Sequence, residues 1–136
     1  MSDRAARLQA YVDAVEGKTV EWSVDDCTSF AAGWVELISG IMVPRLKFNN
    51  QDEAHSLIAG HGGLLPIWEN ALRNFPLRYE FDRPRLGDVG VVETSRFGEV
   101  GVIVAHDGIA LWRAAKGTAL LRPRRFVKVW AIAPDD

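Results

Sequence analysis

Asp25-Asp-Cys-Thr-Ser-Phe-Ala-Ala-Gly-Trp-Val-Glu-Leu-Ile-Ser39 is the stretch whose reading decides the fold. Two acids with N-cap chemistry precede a run, Cys27 to Ser39, in which Glu36 is the only charged side chain. A helix that is apolar on nearly every side is normally packed on every side. The stretch therefore predicts the central helix of the core, and Gly40 and Pro44 close it.

On the N-terminal side, Leu8, Tyr11, Val12 and Val15 fall at i, i+3, i+4 and i+7, with Arg4, Arg7, Asp13 and Glu16 between them. This predicts an amphipathic helix over residues 3–16, ended by Gly17. On the C-terminal side, Asn49, Asn50 and Asp52 offer caps for a shorter helix over 51–59, and Gly60-His-Gly-Gly63 breaks the chain. Leu64, Leu65, Trp68, Ala71 and Leu72 then repeat at helical spacing to about Arg73, where Asn74 and Pro76 stop them. From Asp88 the period changes to that of strands. Val89, Val91 and Val92 begin one; Val100, Val102, Ile103 and Val104 a second; Ile109, Leu111 and Trp112 a third; Leu120 and Leu121 a fourth; Phe126, Val127, Val129, Trp130 and Ile132 a fifth. Their connectors, Ser95 to Gly98, Asp107-Gly108 and Lys116-Gly117, are short and contain glycine, which favours an antiparallel meander. The expected architecture is α+β in a single domain over 1–136. A helical half (1–75) packs its central helix on a sheet of about five strands in a β half (86–133).

The chain has 136 residues, enough for one domain around one core. With 48% hydrophobic and 25% charged residues it falls outside the disordered and fibrous classes. No apolar run reaches the ~18 residues of a membrane span; the best candidate, Phe30 to Val43, is broken by Gly33, Glu36, Ser39 and Gly40. The N-terminal Met-Ser-Asp-Arg-Ala-Ala-Arg-Leu-Gln-Ala lacks the apolar stretch of a secretory signal, so the chain is expected to stay in the cell that makes it. One cysteine excludes an internal disulfide, and with His55, His61 and His106 it makes no metal-ligand spacing. Gly60-His-Gly-Gly63 lacks the Lys-Ser/Thr of a phosphate loop. Neither a metal nor a cofactor is expected.

Cys27 stands at the first turn of the central helix. The unpaired N–H groups and macrodipole of a helix N-terminus stabilise a thiolate and so make a nucleophile. Asp25 and Asp26 act in the opposite sense unless their carboxylates turn toward backbone donors. The alternative is packing: Cys27, Phe30, Ala31, Trp34 and Ile38 form one apolar stripe, in which the thiol is a small core filler.

Trp22-Ser-Val-Asp-Asp-Cys-Thr-Ser-Phe-Ala-Ala-Gly-Trp34 resembles the nucleophile motif of NlpC-like, papain-fold peptidoglycan cysteine peptidases, in which an Asp-Cys-Ser/Thr start opens the central helix. Leu86-Gly-Asp-Val-Gly-Val-Val92 resembles that family's Gly-Asp-led first strand. Glu99-Val-Gly-Val-Ile-Val104 resembles its next strand, which there reads His-Val-Gly-Ile-Tyr-Val. Nearly all of the chain is similar to a family of small phage and prophage proteins of unknown function encoded among tail-tip genes. In these a Trp-x-x-x-Asp-Cys helix is followed by a helical insert and a Trp-containing last strand, here Val129-Trp-Ala-Ile132. The resemblance implies a papain-like, NlpC-like fold with Cys27 as nucleophile and no cofactor. It also implies a place at the virion tail tip, in the baseplate hub region, after synthesis in the host cytoplasm. The implied partners are other tail proteins (hub, distal tail protein, central fibre) and peptidoglycan.

The departures from that pattern carry as much information as the match. Glu99 stands where the family has its catalytic histidine, and Leu111-Trp-Arg113 where it has a polar orienting residue. Imidazole accepts a thiol proton and returns it because it titrates near neutrality. A carboxylate at its ordinary pKa of ~4.3 is a poor acceptor from a thiol at ~8.5, and its charge opposes the thiolate. His106 lies at the far end of the same strand, roughly 20 Å from Glu99 at ~3.3 Å per residue. His61 sits in the break between helices, and His55 beside Gln51, Asp52 and Glu53 reads as a solvated face. The catalytic candidates are thus Cys27 and Glu99.

Charge is unevenly placed. Residues 113–128 carry Arg113, Lys116, Arg122, Arg124, Arg125 and Lys128 without an acid, while the chain as a whole has a net charge of −2. Docking onto an acidic protein suits this segment better than nucleic acid, because no recognition motif accompanies it. Arg122, Arg124, Arg125 and Trp112 are the interface candidates, Trp and Arg being the commonest interface anchors. The sequence thus points to a tail-tip assembly protein with a degenerate peptidase site. Its competitor is an active cell-wall peptidase that uses Cys27 to aid genome delivery, and a third reading is a host protein with a peptide or small-molecule groove.

Overall fold

The computed structural model describes residues 3–20, 27–44, 49–78 and 83–132, with Cys27 described in its backbone alone. Four helices precede five strands: α1 (Asp3–Asp13), α2 (Cys27–Ser39), α3 (Gln51–Gly60), α4 (Leu64–Ala71), then β1 (Val89–Thr94), β2 (Gly98–Val104), β3 (Ala110–Arg113), β4 (Thr118–Leu121) and β5 (Arg125–Trp130). A short 3-10 turn, His106–Gly108, links β2 to β3.

The first helix ends earlier than its periodicity suggests. After Asp13 the chain tightens, with Val15 N–H bonding Val12 O and Glu16 N–H bonding Asp13 O, and leaves at Gly17. Leu8 is buried and the Tyr11 ring lies on Phe30 at 4.6 Å, its hydroxyl donating to Phe30 O at 2.6 Å. Arg4, which the sequence pattern puts on the solvent side, is buried and reaches Leu86 O through Nη1. The third helix is capped as its sequence predicts, with Asn50 Oδ1 accepting Glu53 N–H at 2.9 Å.

Central helix α2 is packed along most of its length. Phe30, Ala31, Ala32, Trp34 and Val35 are buried against α1, α4 and the sheet. Packing on every side stops at its last turn, where Leu37 is 49% exposed and lies near the exposed Ile41 and Met42. Gly40, at φ +74°, closes the helix with its N–H on Glu36 O, and the Glu36 carboxylate accepts Val43 N–H.

The strands form one antiparallel sheet in the order β4-β3-β2-β1-β5. Strand alternation gives it two buried faces. Val89, Val91, Ile103 and Leu111 meet the helices, where Trp34 and Trp68 form the main core. Val92, Val100, Val102 and Ala110 point the other way and pack with Trp112, Leu121 and Phe126. All five strands supply this second core, both sheet edges included. A bulge interrupts the β1–β5 register at Val91/Val92, where β5 skips from Lys128 to Phe126.

One joint ties the two halves together. Trp34 Nε1 donates to Gly87 O at 2.8 Å, and Gly87, at φ +94°, lies so close to Arg4 that a Cβ there would overlap its side chain. Next to it Asp88 is fully buried. Its carboxylate accepts Arg78 Nε and Arg85 N–H at 2.8 and 2.9 Å.

Candidate functional site

A groove of about 730 Å³ lies between the helical half and the sheet. Thr28, in the first turn of α2, borders it on one side, and α3 and the start of α4 supply Gln51, His55, Ile58 and Leu64. The opposite wall is Phe97, Glu99 and Val100 at the start of β2, with Trp112 and Arg113 at the end of β3. Its lining is mostly apolar, with Gln51, His55, Glu99 and Arg113 among its polar and charged residues.

Strand alternation places each wall residue. Val100 and Val102 face the second core, so Glu99 and Gly101 face the helices. Gly101 lets the Trp68 ring lie directly on the strand, since a Cβ there would overlap that ring. Glu99, two residues earlier, is left exposed on the groove wall, with no ion pair among the described residues. On β3 the same rule sends Trp112 toward the second core and Arg113 to the other face. The guanidinium of Arg113 is buried there, donating to Gly117 O at 2.7 Å and Ala114 O at 3.2 Å. The rings of Phe97 and Trp112 meet at 4.9 Å, and the Arg96 guanidinium carbon lies 5.4 Å from the Phe97 centroid.

The candidate residues are distributed as follows. Cys27 is the first residue of α2, its neighbour Thr28 borders the groove, and the Cys27 side chain lies outside the described residues, as do Trp22, Asp25 and Asp26. Glu99 is on the groove wall, and the exposed His55 borders the same groove. That second placement needs α3 and the start of β2 to flank one groove, which local sequence does not reveal; a histidine among polar helix residues reads simply as solvated. His61 caps the end of α3 and is exposed. His106 lies past the far end of β2, exposed, with Nδ1 3.4 Å from the Asp107 carboxylate. Neither borders the groove. Phe97 also borders the groove and is 51% exposed; a large apolar side chain inside the Ser95–Gly98 turn is the sequence signal that could have marked it. Among the described residues no group of three or more His, Cys, Asp or Glu could hold a metal.

The basic segment is less open than its composition suggests. Arg113 is buried, Arg125 pairs with Glu93 at 2.8 Å, and Lys128 pairs with Glu69 at 2.6 Å. Arg122 and Arg124 are exposed, with no side-chain partner among the described residues. Trp112 is half-buried in the groove wall, to which none of Arg122, Arg124 and Arg125 contributes.

Fold and groove together define an α+β domain with a cleft between its helical and β halves. Residues 1–132 match the model of a family described as a domain of unknown function (DUF6950), and the chain belongs to that family. No curated protein and no solved structure matches it.

Proposed function

We propose that this chain is a phage or prophage tail-tip protein with an NlpC-like, papain-related fold, in which the peptidase site is degenerate and the domain serves assembly with neighbouring tail proteins. The observation that carries the reading is Glu99. A carboxylate stands on the groove wall, exposed and unpaired among the described residues, where the resemblance expects an imidazole. Imidazole suits exchange of a thiol proton near neutrality, and the residue at this position is not a histidine. The match of the Trp22–Trp34 and Leu86–Val92 motifs to the NlpC-like pattern supports the relation, and a cleft beside the start of α2 suits it.

The test has two arms. Alkylation of Cys27 by iodoacetamide at pH 6–7 should be no faster than that of a free thiol, with no cleavage of peptidoglycan stem peptides; rapid alkylation and cleavage would overturn the degenerate site. Mass spectrometry of purified particles should find the chain in the tail, and its absence there would overturn the assembly role.

One observation favours the second reading, an active cysteine peptidase: His55 borders the groove shared by Glu99 and Thr28. On that reading Cys27→Ala and His55→Gln would each abolish stem-peptide cleavage while leaving the fold intact.

A further inference from the structure

The two edges of the sheet are finished differently. At β5 the chain covers the C-terminal end of the edge: Leu77 bridges Trp130, Arg78 N–H bonds Val129 O, and Ala131 N–H bonds Pro76 O. The cations of that strand are paired too, Arg125 with Glu93 and Lys128 with Glu69. At β4 the opposite holds. Thr118–Leu121 pair with β3 on one side, and no described segment pairs with the other. Among the described residues, cover reaches the turn before β4 and no further, with Thr19 bridging Lys116 and Lys18 O accepting Gly117 N–H.

An open edge presents a row of backbone donors and acceptors that another extended chain can pair with. Here the row spans roughly 13 Å at ~3.3 Å per residue. Leu120 is 59% exposed on it, and Lys116, Arg122 and Arg124 flank it without side-chain partners among the described residues. The remaining cations of residues 113–128 are buried or paired, so among the described residues the unpaired positive charge of this segment flanks the β4 edge.

We propose that β4 is a strand-addition site for another protein: an extended segment with a short apolar or β-branched centre and acidic residues on both sides pairs with Thr118–Leu121. The acids would meet Lys116 at one end and Arg122 and Arg124 at the other. A second copy of the chain is a poor occupant. In the symmetric antiparallel register that sets Thr118 opposite Leu121, Lys116 of each copy falls beside Arg122 and Arg124 of the other, and like charges repel at both ends. Nucleic acid would use the cations but has no use for Leu120 or for the alternating backbone groups.

This inference deepens the assembly reading by naming the surface and the chemistry of the partner, and it rests on that reading only for the partner being a tail protein. The probe is a blocked synthetic peptide of alternating threonine and valine flanked on each side by aspartates, used with the full-length chain. The expected result is saturable binding that slows amide hydrogen exchange at Thr118–Leu121. It should weaken with salt and fall roughly tenfold in the doubly substituted Arg122→Glu, Arg124→Glu chain, a modest sum over exposed charge contacts. No binding, binding that leaves those amides unchanged, equal binding of a lysine-flanked peptide, protection of the same amides by oligothymidylate, or self-association through β4 in sedimentation would each overturn it. A chain absent from particles that still binds the peptide would remove the tail-tip reading alone. A chain present in particles that ignores the peptide would remove this inference alone.

Discussion

Asp88 and Glu99 stand at opposite ends of the first β-hairpin, one before β1 and the other near the start of β2. Asp88 is fully buried and its carboxylate is held by Arg78 and by the Arg85 amide. Around it Trp34 reaches Gly87 and Arg4 reaches Leu86, so both halves of the molecule meet at this point. Glu99 has none of this: it is exposed on the groove wall and makes no ion pair among the described residues. Two acids in the two family-like strand motifs thus do different work. The Gly-Asp motif is a joint whose residues are used up in holding the fold, whereas the start of β2 is left free to meet something else.

The largest effect expected is at the joint. Asp88→Ala leaves the Arg78 guanidinium without its carboxylate and Arg85 N–H without its acceptor, both near the core. Removing one partner of a buried ion pair costs about 3–5 kcal/mol, and the partial exposure of Arg78 places this variant near the lower end, at about 3 kcal/mol. Urea unfolding measures it. A loss below about 1 kcal/mol, the range of an ordinary surface change, would mean that Asp88 is no joint.

Gly101→Ala comes next. Its methyl group would overlap the Trp68 ring, a side chain confined between β2 and Trp130 at 6.2 Å. Overpacking of this kind costs about 1–3 kcal/mol. Because Trp68 also seats α4 beside the groove, the same variant should alter Trp fluorescence; an unchanged spectrum with full stability would show that α4 is loosely held.

Trp34→Phe should cost somewhat less, about 1–2 kcal/mol. It removes the hydrogen bond to Gly87 O and leaves a buried carbonyl short of a donor, while most of the apolar ring volume stays. The measurement is again the shift of the urea midpoint, with the slope unchanged. A larger loss than that of Asp88→Ala would move the centre of the joint from the carboxylate to the indole.

The periodic parts of this architecture were legible in sequence because each element announces its own period. Leu8, Tyr11 and Val12 mark α1, the run from Phe30 to Val35 marks α2, and the alternation of β2 separates Gly101 and Ile103 from Val100 and Val102. What stayed hidden depends on partners far along the chain. Arg4 reads as the solvent side of an amphipathic helix, yet its long stem lies buried beside Gly87 and reaches a carbonyl at Leu86. The last turn of α2 reads as core but ends beside an exposed Leu37, because apolar composition does not say where a neighbouring layer stops. Glu99 could be recognised as a departure from a motif, while its company with His55 and Phe97 required α3 and the β1–β2 turn to be set on either side of one groove. The basic segment misled in the same way, since Glu93 and Glu69, which neutralise Arg125 and Lys128, come from other elements.

The smallest effect on stability is the one that most sharpens the contrast between the two acids. Glu99→Gln keeps the shape of the side chain and removes its charge from a site with no ion-pair partner among the described residues, so stability should change by no more than about 0.5 kcal/mol. A loss above about 1 kcal/mol would make Glu99 a second structural acid and erase the distinction. Glu99→His, at the same small cost, tests what the wall of the groove retains. If the site is a peptidase groove that has lost only its base, an imidazole installed there should favour the Cys27 thiolate and accelerate its alkylation at pH 6–7 over that of the Glu99→Gln chain. Equal rates for the two variants would mean that removing the carboxylate, rather than supplying a base, is all the substitution does, and that the groove has drifted further from catalysis than one residue.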